Sequence, residues 1–71
     1  MTIGEKIKEL RIEKELSQTA LSKSIGVSQK AIDYWERGVN EPKASYIMAL
    51  VQFFELSYNE FFEDIQISDK K

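Results

Sequence analysis

The sequence predicts an all-α domain of five short helices, and three observations carry that prediction. Apolar residues recur three and four positions apart: Ile3, Ile7 and Leu10; Leu21 and Ile25; Ile32 and Trp35; Ile47, Leu50, Val51 and Phe54; Phe61 and Ile65. That spacing lines one face of a helix. No sustained apolar–polar alternation of the kind that marks a half-buried strand interrupts it. Serine or threonine stands just ahead of most of these segments, where its side-chain oxygen can accept from first-turn N–H groups.

The first helix is expected over residues 3–14, opened by Thr2 and Glu5 at capping-box spacing. The second, 18–25, follows Ser17, and the third, 29–37, follows Ser28. The fourth is expected over 44–54 and the fifth over 58–64, where Ser57 and Glu60 repeat the capping box. Leu16 with Leu21, Val27 with Ile32, and Leu56 with Phe61 bracket three of these caps as hydrophobic staples. Gly26 falls where a sharp helix end needs positive φ. Only Gly26, Val27 and Ser28 separate the second helix from the third, so the two must cross steeply, as a helix-turn-helix does. The longest loop, 38–43, holds Asn40 and Pro42. Residues 1–65 are thus expected to form one domain, followed by a frayed polar tail, 66–71.

A chain of 71 residues has room for a single core. A domain this small buries only about 60% of the surface its unfolded chain exposes, so each apolar stripe is needed. There is no cysteine and no histidine, which excludes a disulfide framework, thiolate or imidazole metal sites, and the usual general base at neutral pH. Ser17, Ser28 and Ser57 are accounted for as caps, with no histidine to activate them. Glu60, Glu63 and Asp64 lack calcium-loop spacing, and no glycine-rich phosphate loop occurs. No catalysis, cofactor or metal is expected. No apolar run approaches the roughly 20 residues of a membrane span. The first ten residues interleave charges and lack a signal-peptide core, so a cytoplasmic protein is expected.

Several short motifs occur in a fixed order: Leu10-Arg11, Leu16-Ser17-Gln18, Ile25-Gly26-Val27-Ser28, Ile32, Trp35-Glu36-Arg37-Gly38, Pro42 and Leu56-Ser57. In this order and spacing the chain resembles the lambda-repressor-like (Cro and phage-repressor) helix-turn-helix family over residues 3–62. The resemblance implies a compact five-helix DNA-binding domain with the second and third helices as the helix-turn-helix. It also implies a transcriptional regulator, a repressor above all, that occupies a double-stranded operator as a dimer with the third helix in the major groove. The family often has glycine after its first and fourth helices, where this chain has Glu15 and Glu55. Either these glutamates accept a left-handed backbone at a cost of about 1 kcal/mol, or the corners turn differently.

By the same resemblance the base-reading positions fall on Gln29, Lys30 and Tyr34, with Asp33 between them. Glutamine can pair bidentately with adenine, and lysine donates to guanine O6 and N7. Two roles are open to Asp33: accepting from cytosine N4, or pairing with Arg37 four residues on. Tyr34 can pack on a thymine methyl, reach a phosphate, or fill space beside Trp35. The resemblance gives Gln18 a phosphate oxygen at the start of the second helix. Ser28, Lys23, Arg37, Asn40, Lys43 and Ser45 are further candidates for the phosphate backbone. It also implies a structural salt bridge between Arg11 and Glu36.

Tyr58, Phe62, Phe53 and Ile67 are apolar residues left over by the core stripes. They are either a homodimer interface or part of the core. A second function class, a protein-interaction module with no DNA readout, would require a third helix stripped of long polar groups; Gln29, Lys30 and Arg37 speak against it. The formal net charge of −2 is unevenly spread: residues 1–16 are neutral, 17–46 carry +1 and 47–71 carry −3. The acidity that opposes nucleic acid thus sits mainly away from the expected reading face.

Overall fold

The computed structural model describes residues 1–65; the expected tail 66–71, including Ile67, lies outside the described residues. Its helices are α1 (Ile3–Glu13), α2 (Gln18–Ile25), α3 (Gln29–Arg37), α4 (Ala44–Phe53) and α5 (Tyr58–Phe62). The bounds of α2 and α3 are those expected, whereas α1 and α4 each stop one residue early and α5 two. Four of the five starts carry the anticipated caps. Thr2 and Ser57 each form a complete capping box, and Ser17 and Ser28 accept from the N–H groups of Ala20 and Ala31. At α4 Lys43 supplies no side-chain cap.

The ends of α1 to α4 share one device. Gly26 and Gly38 adopt φ of 78°, and Glu15 and Glu55 adopt 57° and 59°. The two glutamates therefore take the left-handed conformation, and the corners do not turn differently. After α1, Glu15 N–H donates to Ile12 O at 2.9 Å and Leu16 N–H to Arg11 O at 3.0 Å. After α4, Glu55 N–H donates to Gln52 O at 3.1 Å and Leu56 N–H to Val51 O at 3.0 Å. This is the paired closure that satisfies orphan carbonyls at a helix end. It also turns Leu16 and Leu56 back onto the core, which offsets the cost of a left-handed glutamate.

The core consists of Ile7, Leu10, Leu21, Ile32, Trp35, Leu50, Val51, Phe54 and Phe61. α3 packs against both α1 and α2, and α2 also packs against α4. Phe61, fully buried, anchors the short α5. Lys6 lies three residues after Ile3 and four before Leu10, at the edge of the apolar stripe, and is buried. Its ammonium reaches Asp64 at 3.5 Å and Glu9 at 3.9 Å. Gly4 is required by close approach: a Cβ there would stand 1.9 Å from the Trp35 carbonyl oxygen.

The other α1–α3 tie is electrostatic. Arg11 Nε donates to Glu36 Oε2 at 2.7 Å, Nη2 to Glu36 Oε1 at 3.0 Å, and Nη1 to the Leu16 carbonyl at 2.7 Å. The side chains are only 13% and 3% exposed. The hydrogen bonding of its guanidinium to Glu36 raises the Arg11 pKa above its ordinary value, outweighing the opposing effect of burial. A guanidinium whose folded pKa is raised contributes stability that is fully present below its unfolded value. The Arg11 guanidinium therefore stays charged, and its contribution constant, throughout the neutral and mildly alkaline range.

Two outcomes follow for thermal and denaturant unfolding. Glu15→Gly and Glu55→Gly each raise stability by about 0.5–1 kcal/mol, because relief of left-handed strain exceeds the added unfolded-state entropy. The melting temperature should rise by roughly 2–8 °C for each. Removing one partner of the buried pair, by Arg11→Met or Glu36→Leu, costs about 3–5 kcal/mol. The double substitution restores most of that loss, since no uncompensated charge remains buried.

Candidate nucleic-acid interface

The turn Gly26-Val27-Ser28 holds α2 against α3 and leaves the first turn of α3 open to solvent. Gln29 and Lys30 are exposed there, and Asp33 and Tyr34, one turn on, are half-buried. Ile32 and Trp35 face inward, and the Trp35 ring lies 5.7 Å from that of Tyr46.

The polar side chains of this face are joined to one another. Gln18 Nε2 donates to Glu36 Oε1 at 3.1 Å and, at a longer 3.5 Å, to Asp33 Oδ1. Gln29 Nε2 donates in turn to Gln18 Oε1 at 2.6 Å. A continuous hydrogen-bonded path thus runs from buried Arg11 through Glu36 and Gln18 to exposed Gln29. Asp33 Oδ2 accepts from Arg37 Nε at 3.0 Å, so the local pairing open to Asp33 is formed. The Arg37 guanidinium also lies 5.5 Å from the centre of the Tyr34 ring. Such an exposed i,i+4 pair contributes only about 0.2–0.5 kcal/mol; its consequence is placement.

Chemically, the face offers an amide donor and acceptor on Gln29, an ammonium on Lys30, a phenol on Tyr34 and a guanidinium on Arg37. These are long side chains with hydrogen-bonding ends near the start of an exposed helix, as groove readout needs. The structure does not draw every candidate into this cluster. Lys23 lies five residues beyond Gln18, about 140° around α2. Lys23, Asn40, Lys43 and Ser45 are exposed and make no side-chain hydrogen bond or ion pair among the described residues. Ser28 is committed to Ala31 N–H at 3.1 Å through its hydroxyl.

On α5, Tyr58 and Phe62 are 48% and 37% exposed, while Phe53 on α4 is half-buried with its ring edge-on to Phe54. Ile67 falls outside the described residues. Sequence reasoning overlooked the acceptor role of the Leu16 carbonyl and the links from Gln18 to the two carboxylates. Nothing in spacing alone signals either one. The described residues contain no group of acidic side chains arranged to hold a metal ion, and no helix long and apolar enough to cross a membrane.

Comparison with known proteins agrees with this geometry. A model of the family described as Helix-turn-helix matches residues 7–61. The chain is 38% identical over 55 residues to Repressor protein C2 of Salmonella phage P22, covering 78% of this chain and 26% of that protein. It is 33% identical over 57 residues to the HTH-type transcriptional regulator DicA of Escherichia coli, covering 80% of this chain and 42% of that one. The chain therefore spans less than half the length of either relative. A crystal structure of the P22 c2 repressor with a synthetic operator superposes with a TM-score of 0.78 at 34% identity, covering 86% of this chain and 92% of that one. The chain belongs to the lambda-repressor-like helix-turn-helix family.

Proposed function

We propose that this chain is a sequence-specific double-stranded DNA-binding domain of a transcriptional regulator, acting as a repressor by occupying an operator. The observation that carries this reading is the exposed first turn of α3. There Gln29 and Lys30 stand open, with Gln29 held from behind by Gln18 and Glu36. Likeness to the P22 repressor, whose structure was solved on a synthetic operator, supports the same reading. α3 enters the major groove with Gln29, Lys30 and Tyr34 toward the bases. Gln18 and Arg37 flank it on the phosphate side, and Lys23, Asn40, Lys43 and Ser45 extend that contact along the backbone. The role is one of binding and not of catalysis, in the cytoplasm of a bacterium where phage or chromosomal operators lie.

Useful specificity requires two copies one helical turn apart, since a single recognition helix reads only a few base pairs. Tyr58 and Phe62 supply exposed apolar surface on α5 for a homodimer, with half-buried Phe53 on α4 as a further candidate.

Selection from a random DNA pool should yield a two-fold symmetric site, with affinity falling steeply as salt rises. Gln29→Ala and Lys30→Ala should each relax one base position, by about 1–3 kcal/mol of discrimination. No enriched sequence, or binding indifferent to salt, would contradict the reading and point to a protein partner. Sedimentation tests the dimer separately. The intact chain should sediment as a dimer at micromolar concentration and Phe62→Glu as a monomer; a monomer in both cases would exclude this interface.

A further inference from the structure

At Gly4 the backbone of α1 meets the backbone of α3, and the missing side chain serves more than fit. We infer that Gly4 is a positioning residue: the absence of a Cβ seats the recognition helix on α1 and thereby sets its discrimination between DNA sequences. The inference rests on the DNA-binding reading above and adds to that surface a determinant that lies on another helix.

A Cβ on Gly4 would overlap the Trp35 carbonyl oxygen, and it would lie 2.9 Å from the Trp35 carbonyl carbon and 3.2 Å from Glu36 Cα. All three are backbone atoms in the last turn of α3, so no side chain can swing aside. The two helices would have to part by at least about 1 Å to reach ordinary contact distance. Gly4 and Arg11, seven residues apart, share one side of α1, and Arg11 bonds the same Glu36 at 2.7 and 3.0 Å. A parting of that size breaks bonds of that length. Of the two helices, α3 is the one with room to yield. The start of α1 is closed by its capping box, with bonds of 2.8 and 3.0 Å, and Ile7 is fully buried. Lys6, on the side of α1 away from Gly4, is bonded to Asp64. Beyond the end of α3, by contrast, Gly38, Val39, Asn40 and Glu41 are all exposed. Binding groups must be held within about 0.5 Å of their working geometry, so a shift of about 1 Å in α3 is enough to misplace Gln29, Lys30 and Tyr34.

The variants are made in a parent chain that carries Glu15→Gly and Glu55→Gly, whose expected gain in stability offsets part of the strain. Each is measured at a temperature where its circular dichroism matches that of the parent. The readout is the ratio of affinity for the selected duplex to affinity for an unrelated one. Gly4→Ala should lower that ratio at least about fivefold, the loss of one good base contact. Thr2→Ala, which removes the cap of the same helix without intruding on α3, should lower stability and leave the ratio unchanged. An unchanged ratio in Gly4→Ala, or an equal fall in Thr2→Ala, would overturn the proposal. So would a Gly4→Ala chain that fails to fold, since Gly4 would then serve the core as a whole. The Arg11 Nε–H resonance of the free protein supplies a readout without DNA: it should shift in Gly4→Ala and stay in place in Thr2→Ala. A parent chain that selects no sequence defeats the DNA-binding reading, whereas an unmoved Arg11 resonance in Gly4→Ala defeats the seating of α3 itself.

Discussion

A guanidinium and a carboxylate buried together between α1 and α3 fix the geometry of the outward-facing surface. Burying two charges is costly, and the cost is recovered only when every remaining donor and acceptor finds a partner. Here Arg11 makes two bonds to Glu36 and a third to the Leu16 carbonyl, and Glu36 also accepts from Gln18. No buried side-chain nitrogen or oxygen lacks a partner among the described residues. One pair therefore joins α1, the corner after it, the first residue of α2 and the last turn of α3. The hydrophobic core could tolerate some rotation of α3; this pair with its directional bonds tolerates far less. That orientation is what a reading helix has to supply.

The same arrangement resolves the acidity of the chain. Glu36 is neutralised by Arg11, and Asp33 is shared by Arg37 and Gln18. The two carboxylates nearest the reading face thus serve the protein and do not confront phosphate. Lys30 is left exposed in the first turn of α3, with Lys23 and Lys43 on neighbouring elements. Among the described residues, the stretch 47–65 carries Glu55, Glu60, Glu63 and Asp64 and no lysine or arginine. For the DNA-binding role proposed above, such a distribution predicts weak non-specific attachment and specificity that rests on a few contacts.

The most legible parts of the fold were those whose boundaries are chemical. α2 and α3 start at serine caps and end at glycines, and both ranges match the expected ones residue for residue. The ends of α1 and α4 were extended one residue too far, through Lys14 and Phe54, because nothing in the sequence marks the residue before a left-handed glutamate as leaving the helix. The glutamate's conformation is imposed by the closure that returns Leu16 and Leu56 to the core. Gly4 and Lys6 went unread for a similar reason: the need for a missing Cβ, and the partner in Asp64, arise from chain segments distant in sequence. At the site, residue types and the family resemblance pointed to Gln18, Gln29, Arg11 and Glu36. The order in which they bond, and the attachment of Asp33 to Gln18, depend on how α2 crosses α3, which no local pattern encodes.

The most direct measurement of the central claim, a recognition surface built before DNA arrives, is a nuclear magnetic resonance titration of the chain with its selected duplex. The Arg11 Nε–H resonance should be resolved in the free protein and keep its position on binding. Gln29, Lys30 and Tyr34 should move, and the Tyr58–Phe62 face should be spared apart from any effect of dimerisation. Movement of Arg11 Nε–H on binding, or shifts confined to α4 and α5, would contradict it.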